Sequence, residues 1–259
     1  MSCRYGHRVT TDTRTSEATH RGDADIAALG AVLAEPARAR ILFALGDGRA
    51  LAASVLAGEA GVAASTASGH LGRLVRAGLL EVLPQGRHRY YRLAGPHVGE
   101  LLEALARVAP AGPVRSLRQG TQAEALRSAR TCYDHLAGRL GVAVFGALLD
   151  AGHVVGGDGT HDPLGADRLS APGRELDYRL TPSGRERFAA LGVELPRGDA
   201  LRYCVDWSEQ RHHLSGALGR ALARRLFELR WIRRADSGRA VFVTDLGRRE
   251  LRSVLNCGI

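Results

Sequence analysis

Residues 58–93 read GEAGVAASTASGHLGRLVRAGLLEVLPQGRHRYYRL, and this stretch decides the fold of the N-terminal half. It opens on the end of one short helix, turns at Gly61 and predicts a second helix over residues 64–77. Two short strands then meet at the tip Pro84-Gln85-Gly86-Arg87. Val62, Leu71, Leu74 and Val75 fall at helical spacing and can face a core, which leaves Ser65, Thr66, Ser68, His70 and Arg73 for the other side. Short hydroxyls let a helix sink into the major groove, and arginine offers a bidentate fork to guanine or phosphate. With Arg87, His88 and Arg89 on the wing, these side chains are the expected contacts to double-stranded DNA.

The charge agrees with that placement. The 259-residue chain carries 36 basic residues, all arginine, against 27 acidic ones, for a formal net charge of +9. Exclusive use of arginine in an Ala/Gly-rich chain reflects the base composition of a genome more than a function. What discriminates is position: over residues 65–93, Arg73, Arg76, Arg87, Arg89 and Arg92 face only Glu81. A local excess on one helix and its wing is the footprint of a phosphate-binding face.

Upstream, Asp25 is placed to cap a helix carrying Ile26, Leu29, Val32 and Leu33, and Pro36 opens the next one at the first-turn position that proline tolerates. Downstream, Gly95-Pro96 opens a helix over residues 97–108 with a wide apolar stripe of Val98, Leu101, Leu102, Leu105 and Val108. A stripe that wide needs a partner. A homodimer closed by this stripe together with Ile26, Leu29 and Val32 is the economical expectation, because two-fold readers space two recognition helices one DNA turn apart.

The Pro/Gly-rich segment APAGP at residues 109–113 predicts a domain boundary, with a linker over 110–120. Beyond it the chain repeats itself. RTCYD at 130–134 is echoed by RYCVD at 202–206, HLAGRLG at 135–141 by HLSGALG at 213–219, and LTPSGR at 180–185 by VTDLGR at 243–248. The expected organisation is a tail over 1–22, a winged helix–turn–helix domain over 23–109, and a duplicated domain over 121–259 with copies of about 121–196 and 197–259. Each copy reads as a helix, a hairpin and a capped helix, so the fold class is mainly α with small β-wings, the C-terminal half being two winged-helix-like repeats. The first copy holds a Gly/Asp-rich insertion over residues 156–177.

Three motifs in order, LAEPARARIL at 33–42, ASTASGHL at 64–71 and QGRHRYYRL at 85–93, resemble the ArsR/SmtB winged-helix repressors of bacteria. The resemblance covers about residues 24–108. It implies a homodimer on a short palindromic operator that leaves the DNA when an effector, often a metal ion, binds. The places where that family senses metals are bare here. Residues 51–57 (LAASVLA) contain no thiol, and only His97 and Glu100 stand on the last helix, too few to close a tetrahedral site.

The repeat supplies another candidate. Each copy carries a thiol, a carboxylate and an imidazole: Cys132, Asp134 and His135, then Cys204, Asp206 and His213. On a helix Cys132 and His135 would share a face. If the copies pack about a pseudo-two-fold axis, the cysteines meet there. A Cys₂His₂ set suits zinc, and two close thiols suit a soft metal or metalloid ion, or a redox disulfide. The structural alternative is that duplication copied a packing motif of small buried cysteines, capping aspartates and core histidines. The readings in play are an effector-released regulator, a thiol redox-responsive regulator, and a Cys/His-dependent enzyme fused to a DNA-binding domain. Against the last stands the lack of a phosphate-binding Gly-rich loop, an HExxH or a nucleophile elbow. No run of about 18 apolar residues points to a membrane span, the first 22 residues lack a signal-peptide core, and four scattered cysteines make no disulfide framework. A cytoplasmic protein is therefore expected.

Overall fold

The structure, a computed structural model, describes residues 23–86, 88–110, 117–162, 176–236 and 238–258. The expected tail over 1–22, Arg87 at the wing tip and most of the insertion over 156–177 lie outside the described residues.

The N-terminal domain runs α1 (Ile26–Leu33), α2 (Pro36–Ala44), β1 (Leu51–Ala52), α3 (Ala53–Ala60), α4 (Ala64–Arg76), β2 (Leu80–Gln85), β3 (His88–Leu93) and α5 (Pro96–Val108). Asp25 caps α1 by accepting from the Ala28 amide at 2.8 Å. The turn between α3 and α4 needs a left-handed residue, and Gly61 supplies it at φ +67°. Helix α4 then buries Ala67, Leu71 and Leu74. Strands β2 and β3 pair antiparallel from Leu80↔Leu93 to Gln85↔His88, with β1 on the far edge of β3, which completes a winged helix. Ile41, Leu42, Leu45, Leu56, Leu71 and Leu74 form the centre of its core.

Helix α6 (Leu117–Ser128) starts inside the segment expected to be linker. Two runs of the same element order follow. The first is β4 (Arg130–Cys132), β5 (His135–Ala137), α7 (Gly138–Asp150), β6 (Val154–Val155), β7 (Arg179–Leu180) and α8 (Pro182–Ala190). The second is β8 (Arg202–Val205), β9 (His212–Ser215), α9 (Gly216–Glu228), β10 (Ile232–Arg234), β11 (Val241–Val243) and α10 (Asp245–Leu255). Matched residues do matched work. Thr181 and Thr244 cap α8 and α10 by accepting from the amides of Gly184 and Gly247, while each hydroxyl donates back to the preceding hairpin's carbonyls. The two runs do not form separate beads. Helix α7 packs on β9 and α9 on β5, and Val144, Phe145 and Leu148 share one core with Leu218, Leu222 and Leu226.

Two expectations need correction. The Cys/His pairs do not lie on helices: Cys132 faces His135 across the β4–β5 hairpin, and Cys204 faces His213 across β8–β9. The α5 stripe is also not a single exposed surface. Val98 and Leu102 are 2 % and 3 % exposed because they pack into the core of the N-terminal domain itself, beside Leu71, Leu74 and Leu93, with Tyr133 of the β4–β5 turn against the same cluster.

At Gly247 a Cβ would overlap the carbonyl of Trp231, where α10 leaves the β10–β11 hairpin. Gly247→Ala should destabilise the fold by about 1–3 kcal/mol, as overpacking against fixed backbone does. Chemical denaturation checks this; Gly58→Ala, with open space around its Cα, should show no such loss.

Candidate functional site

Two candidate sites emerge, one on the N-terminal domain and one between the two C-terminal runs. On α4, Ser65, Thr66, Ser68 and Arg73 are exposed and His70 half-buried, and the wing exposes His88 and Arg89. Leu71 and Leu74 anchor the opposite face of the helix, so these groups project together. None of them is engaged in a side-chain hydrogen bond or ion pair among the described residues, in contrast to Arg92, which is tied to Glu81 on the neighbouring strand. Free hydroxyls and free guanidinium groups on one helix and its wing are what groove and phosphate contacts require.

The second site lies where the two C-terminal runs meet. One ligand atom each from Cys132, His135, Cys204 and His213 lies within 4.8 Å of all the others. Cys132, His135 and His213 are buried and Cys204 partly so. The imidazole rings of His135 and His213 stack with centroids 5.2 Å apart. This approach depends on close packing of the hairpins on the opposite helices: a Cβ on Gly141 or Gly219 would strike the carbonyl of Leu136 or Leu214, and next meet Cβ of His213 or His135. His135 Nε2 and both ring nitrogens of His213 are buried without a hydrogen-bond partner among the described residues. Buried polar atoms are paired in the great majority of cases, so unpaired ring nitrogens on both histidines of one cluster need an explanation.

The electrostatics divide the four residues. Hydrogen bonding with Cys132 holds the Cys204 thiol well below its ordinary pKa, helped by His135, and pushes Cys132 well above its own. Burial works against a charged His135, but the Cys204 sulfur and Asp134 outweigh it and raise it to about 9. Burial, with His135 and Arg130 nearby, lowers His213 to about 4. The environment thus favours the charged form at Cys204 and His135 and the neutral form at Cys132 and His213.

The two aspartates named with these residues stand outside the cluster. Asp134 lies 3.2 Å from His135 Nδ1 and 3.5 Å from Arg220. Asp206 is fully buried. Its Oδ1 accepts from the Ser208 amide and hydroxyl, and its Oδ2 accepts from the Gly138 amide at 2.6 Å and Arg130 Nη2 at 3.0 Å. The same Oδ2 lies 3.7 Å from His213 Nδ1. The pseudo-symmetry breaks here: Arg130 is wholly buried, stacked 4.5 Å over the Trp207 ring, whereas its counterpart Arg202 is exposed.

Motif reading did not identify what surrounds Arg130. Glu103 on α5 is buried between Arg239, with which it pairs, and Arg130 at 3.9 Å. Asp47, after α2, holds Arg49 and also Arg234 at 3.3 Å, and Arg49 donates to the Gly238 carbonyl at 2.7 Å. Tyr133, in the turn between Cys132 and His135, donates its amide to the Gly46 carbonyl at 2.7 Å and packs on Gly99 of α5. The Cys/His hairpin is thus seated directly on the DNA-binding domain. An acidic residue inside an apolar helix face was the available signal for Glu103; Arg239 gave none.

Among the described residues no helix is long and apolar enough to cross a membrane. The helix–turn–helix domain family matches residues 33–82. The HTH-type transcriptional regulator YdfF of Bacillus subtilis is 37% identical over 240 residues, which is 91% of this chain and 99% of that protein. CmtR of Mycobacterium tuberculosis, also an HTH-type transcriptional regulator, is 40% identical over 83 residues, 32% of this chain and 70% of CmtR. Its solution structure, described as a cadmium metal sensor, matches 35% of this chain and 94% of its own at 37% identity, with a TM-score of 0.30. The homodimeric winged helix–turn–helix domain of Mb0332 from Mycobacterium bovis matches 34% and 87% at 34% identity, with a TM-score of 0.29.

Glu103 gives a pH prediction. Burial disfavours its charge, but Arg239 and Arg130 win and hold its carboxyl below the ordinary glutamate range. A depressed carboxylate adds stability above its unfolded pKa and loses it as pH falls through the folded one. Unfolding free energy should therefore drop as pH falls below about 4.3, and Glu103→Gln should remove part of that acid slope while lowering stability at pH 7.

Proposed function

The chain belongs to the HTH-type transcriptional regulators, with a DNA-binding domain of the ArsR/SmtB winged-helix kind, and we propose that it is an operator-binding repressor released by an ion taken up between its two C-terminal runs. Ser65, Thr66, Ser68 and His70 read base edges; Arg73, His88 and Arg89, with Arg87 at the wing tip, hold phosphates or the minor groove. The protein works as a homodimer in the cytoplasm. Val98 and Leu102 are used internally, and Leu101 is half-buried, so the second copy meets Ile26, Leu105 and Val108, which are 71 %, 37 % and 73 % exposed, beside the half-buried Leu29 and Val32.

One observation carries the effector reading: the gathering of Cys132, His135, Cys204 and His213 within 4.8 Å, from both runs, with three ring nitrogens unpaired. Two thiolates and two imidazoles around a zinc-type ion stand about 3.3–3.8 Å apart, given bonds of about 2.3 Å to sulfur and 2.0 Å to nitrogen. The cluster therefore needs only a contraction of about 1 Å. Binding would require Cys132 and His135 to lose their protons, so affinity should fall as pH falls. The partial exposure of Cys204 offers the entry. The nearness of the two sulfurs also favours a second reading, in which they join as a disulfide on oxidation.

Two measurements test this. Arg73→Ala and Arg89→Ala should each weaken binding to all DNA sequences alike and flatten the salt dependence by about one unit of slope, whereas Thr66→Ala should cost about 1–3 kcal/mol on the true operator alone. Equal binding by Arg89→Ala at several salt concentrations would remove the wing from the interface. Protein purified without oxygen should take up one zinc ion per chain, and Cys132→Ser/Cys204→Ser should take up none while still binding the operator. A double variant that still answers every ion and oxidant that acts on the parent would make the cysteines packing residues.

A further inference from the structure

The carboxylate of Asp206 sits between the four-residue centre and the DNA-binding domain, and its contacts point both ways. Towards the centre, Oδ2 stands 3.7 Å from His213 Nδ1, just beyond hydrogen-bond reach. Away from it, the same oxygen holds the wholly buried Arg130 at 3.0 Å, and Arg130 Nη2 lies 3.9 Å from Glu103 Oε2 on α5. That Glu103 oxygen is itself buried and unpaired, as are Arg130 Nε and His213 Nδ1. The chain of groups from the centre to α5 is thus complete in its members and incomplete in its hydrogen bonds. An arrangement half-satisfied in this way has an unused set of bonds to move into.

We propose that Asp206, Arg130 and Glu103 are positioning residues that relay occupancy of the Cys132/His135/Cys204/His213 centre to α5. The inference rests on the ion-binding reading given above. An ion held by His213 Nε2 fixes the proton on Nδ1, and that N–H then donates to Asp206, the second-shell partner that metal-bound histidines commonly have. Asp134, already 3.2 Å from His135 Nδ1, is the matching partner on the other side. The two sides differ in what lies behind them: Asp134 faces solvent and Arg220, whereas Asp206 faces Arg130 and the DNA-binding domain. A shift of Oδ2 towards His213 loosens its hold on Arg130, which turns towards the free oxygen of Glu103. Helix α5 follows directly after the wing, at β3, so its seating bears on the pose of α4 and the wing. The exposed Arg202, at Arg130's place in the second run, makes this route one-sided.

The test uses the full-length protein without oxygen, with zinc chloride as the probe, and compares the parent with Glu103→Gln. Zinc affinity and operator affinity with and without zinc are measured for each. In the parent, zinc should change operator affinity by a factor of about 5–150, the usual range of coupling. Glu103→Gln should bind zinc within about threefold of the parent yet show most of that factor lost, a split that a merely structural defect would not give. Asp206→Asn should lose zinc affinity by about 10–100-fold as well. A Glu103→Gln protein that binds zinc and keeps the parent's full factor overturns the relay and leaves the ion site standing. A parent that takes up no zinc overturns the ion reading itself, and the relay with it. Should Glu103→Gln fail to fold, hydrogen exchange of the parent decides: zinc should alter protection along α5, and changes confined to the β4–β5 and β8–β9 hairpins would contradict the relay.

Discussion

Everything in this molecule turns on the burial of Arg130. Its guanidinium has no exposure, and it is held by Asp206 from the second C-terminal run, capped by the Trp207 ring, and set against Glu103 from the DNA-binding domain. A buried ion pair gains little net stability, because desolvation offsets most of the attraction. Removing one partner is another matter, since it strands a charge inside the protein. The arrangement therefore acts less as glue than as a requirement on geometry: both C-terminal runs and α5 must be in place together for each charge to be matched. Arg239 with Glu103, and Asp47 with Arg49 and Arg234, repeat the same device along the rest of the junction.

That requirement explains why the two C-terminal runs, alike in element order, are asymmetric in burial. Both runs carry the same Arg-x-Cys-x-Asp and His-Leu-x-Gly residues, and both place a cysteine opposite a histidine across a short hairpin. Only the first run's arginine and the second run's aspartate face the DNA-binding domain, and those two are buried. Their counterparts Arg202 and Asp134 remain at the surface side. The same difference separates the two histidines. Asp134 and the Cys204 sulfur favour a charged His135, while burial and Arg130 favour a neutral His213. A two-fold cluster has thus been given a direction.

Much of this was legible in the chain. The α4 spacing, the turn at Gly61, the wing and the Thr-capped helices at Thr181 and Thr244 follow from local chemistry, and the matched motifs put Cys132, His135, Cys204 and His213 in one set. What local reading misjudged was long-range. Cys132 and His135 looked like one helical face because three-residue spacing fits a helix; the turn Tyr133-Asp134, with Tyr133 at φ +57°, makes it a hairpin instead. The α5 stripe looked like a dimer face because an apolar stripe shows only that a partner exists, not which one. Val98 and Leu102 go to the core of the N-terminal domain itself, and Glu103 beside them is the residue that meets the arginines of the C-terminal half.

The central claim is that these four side chains form one ion-binding centre, and cobalt(II) tests it most directly, because its visible spectrum reports both ligand type and coordination number. Anaerobic titration of the full-length protein should give one equivalent of tetrahedral cobalt with thiolate-to-metal absorption, and the signal should vanish in Cys132→Ser/Cys204→Ser. Weak octahedral bands without thiolate absorption, or a signal unchanged in the double variant, would contradict the account.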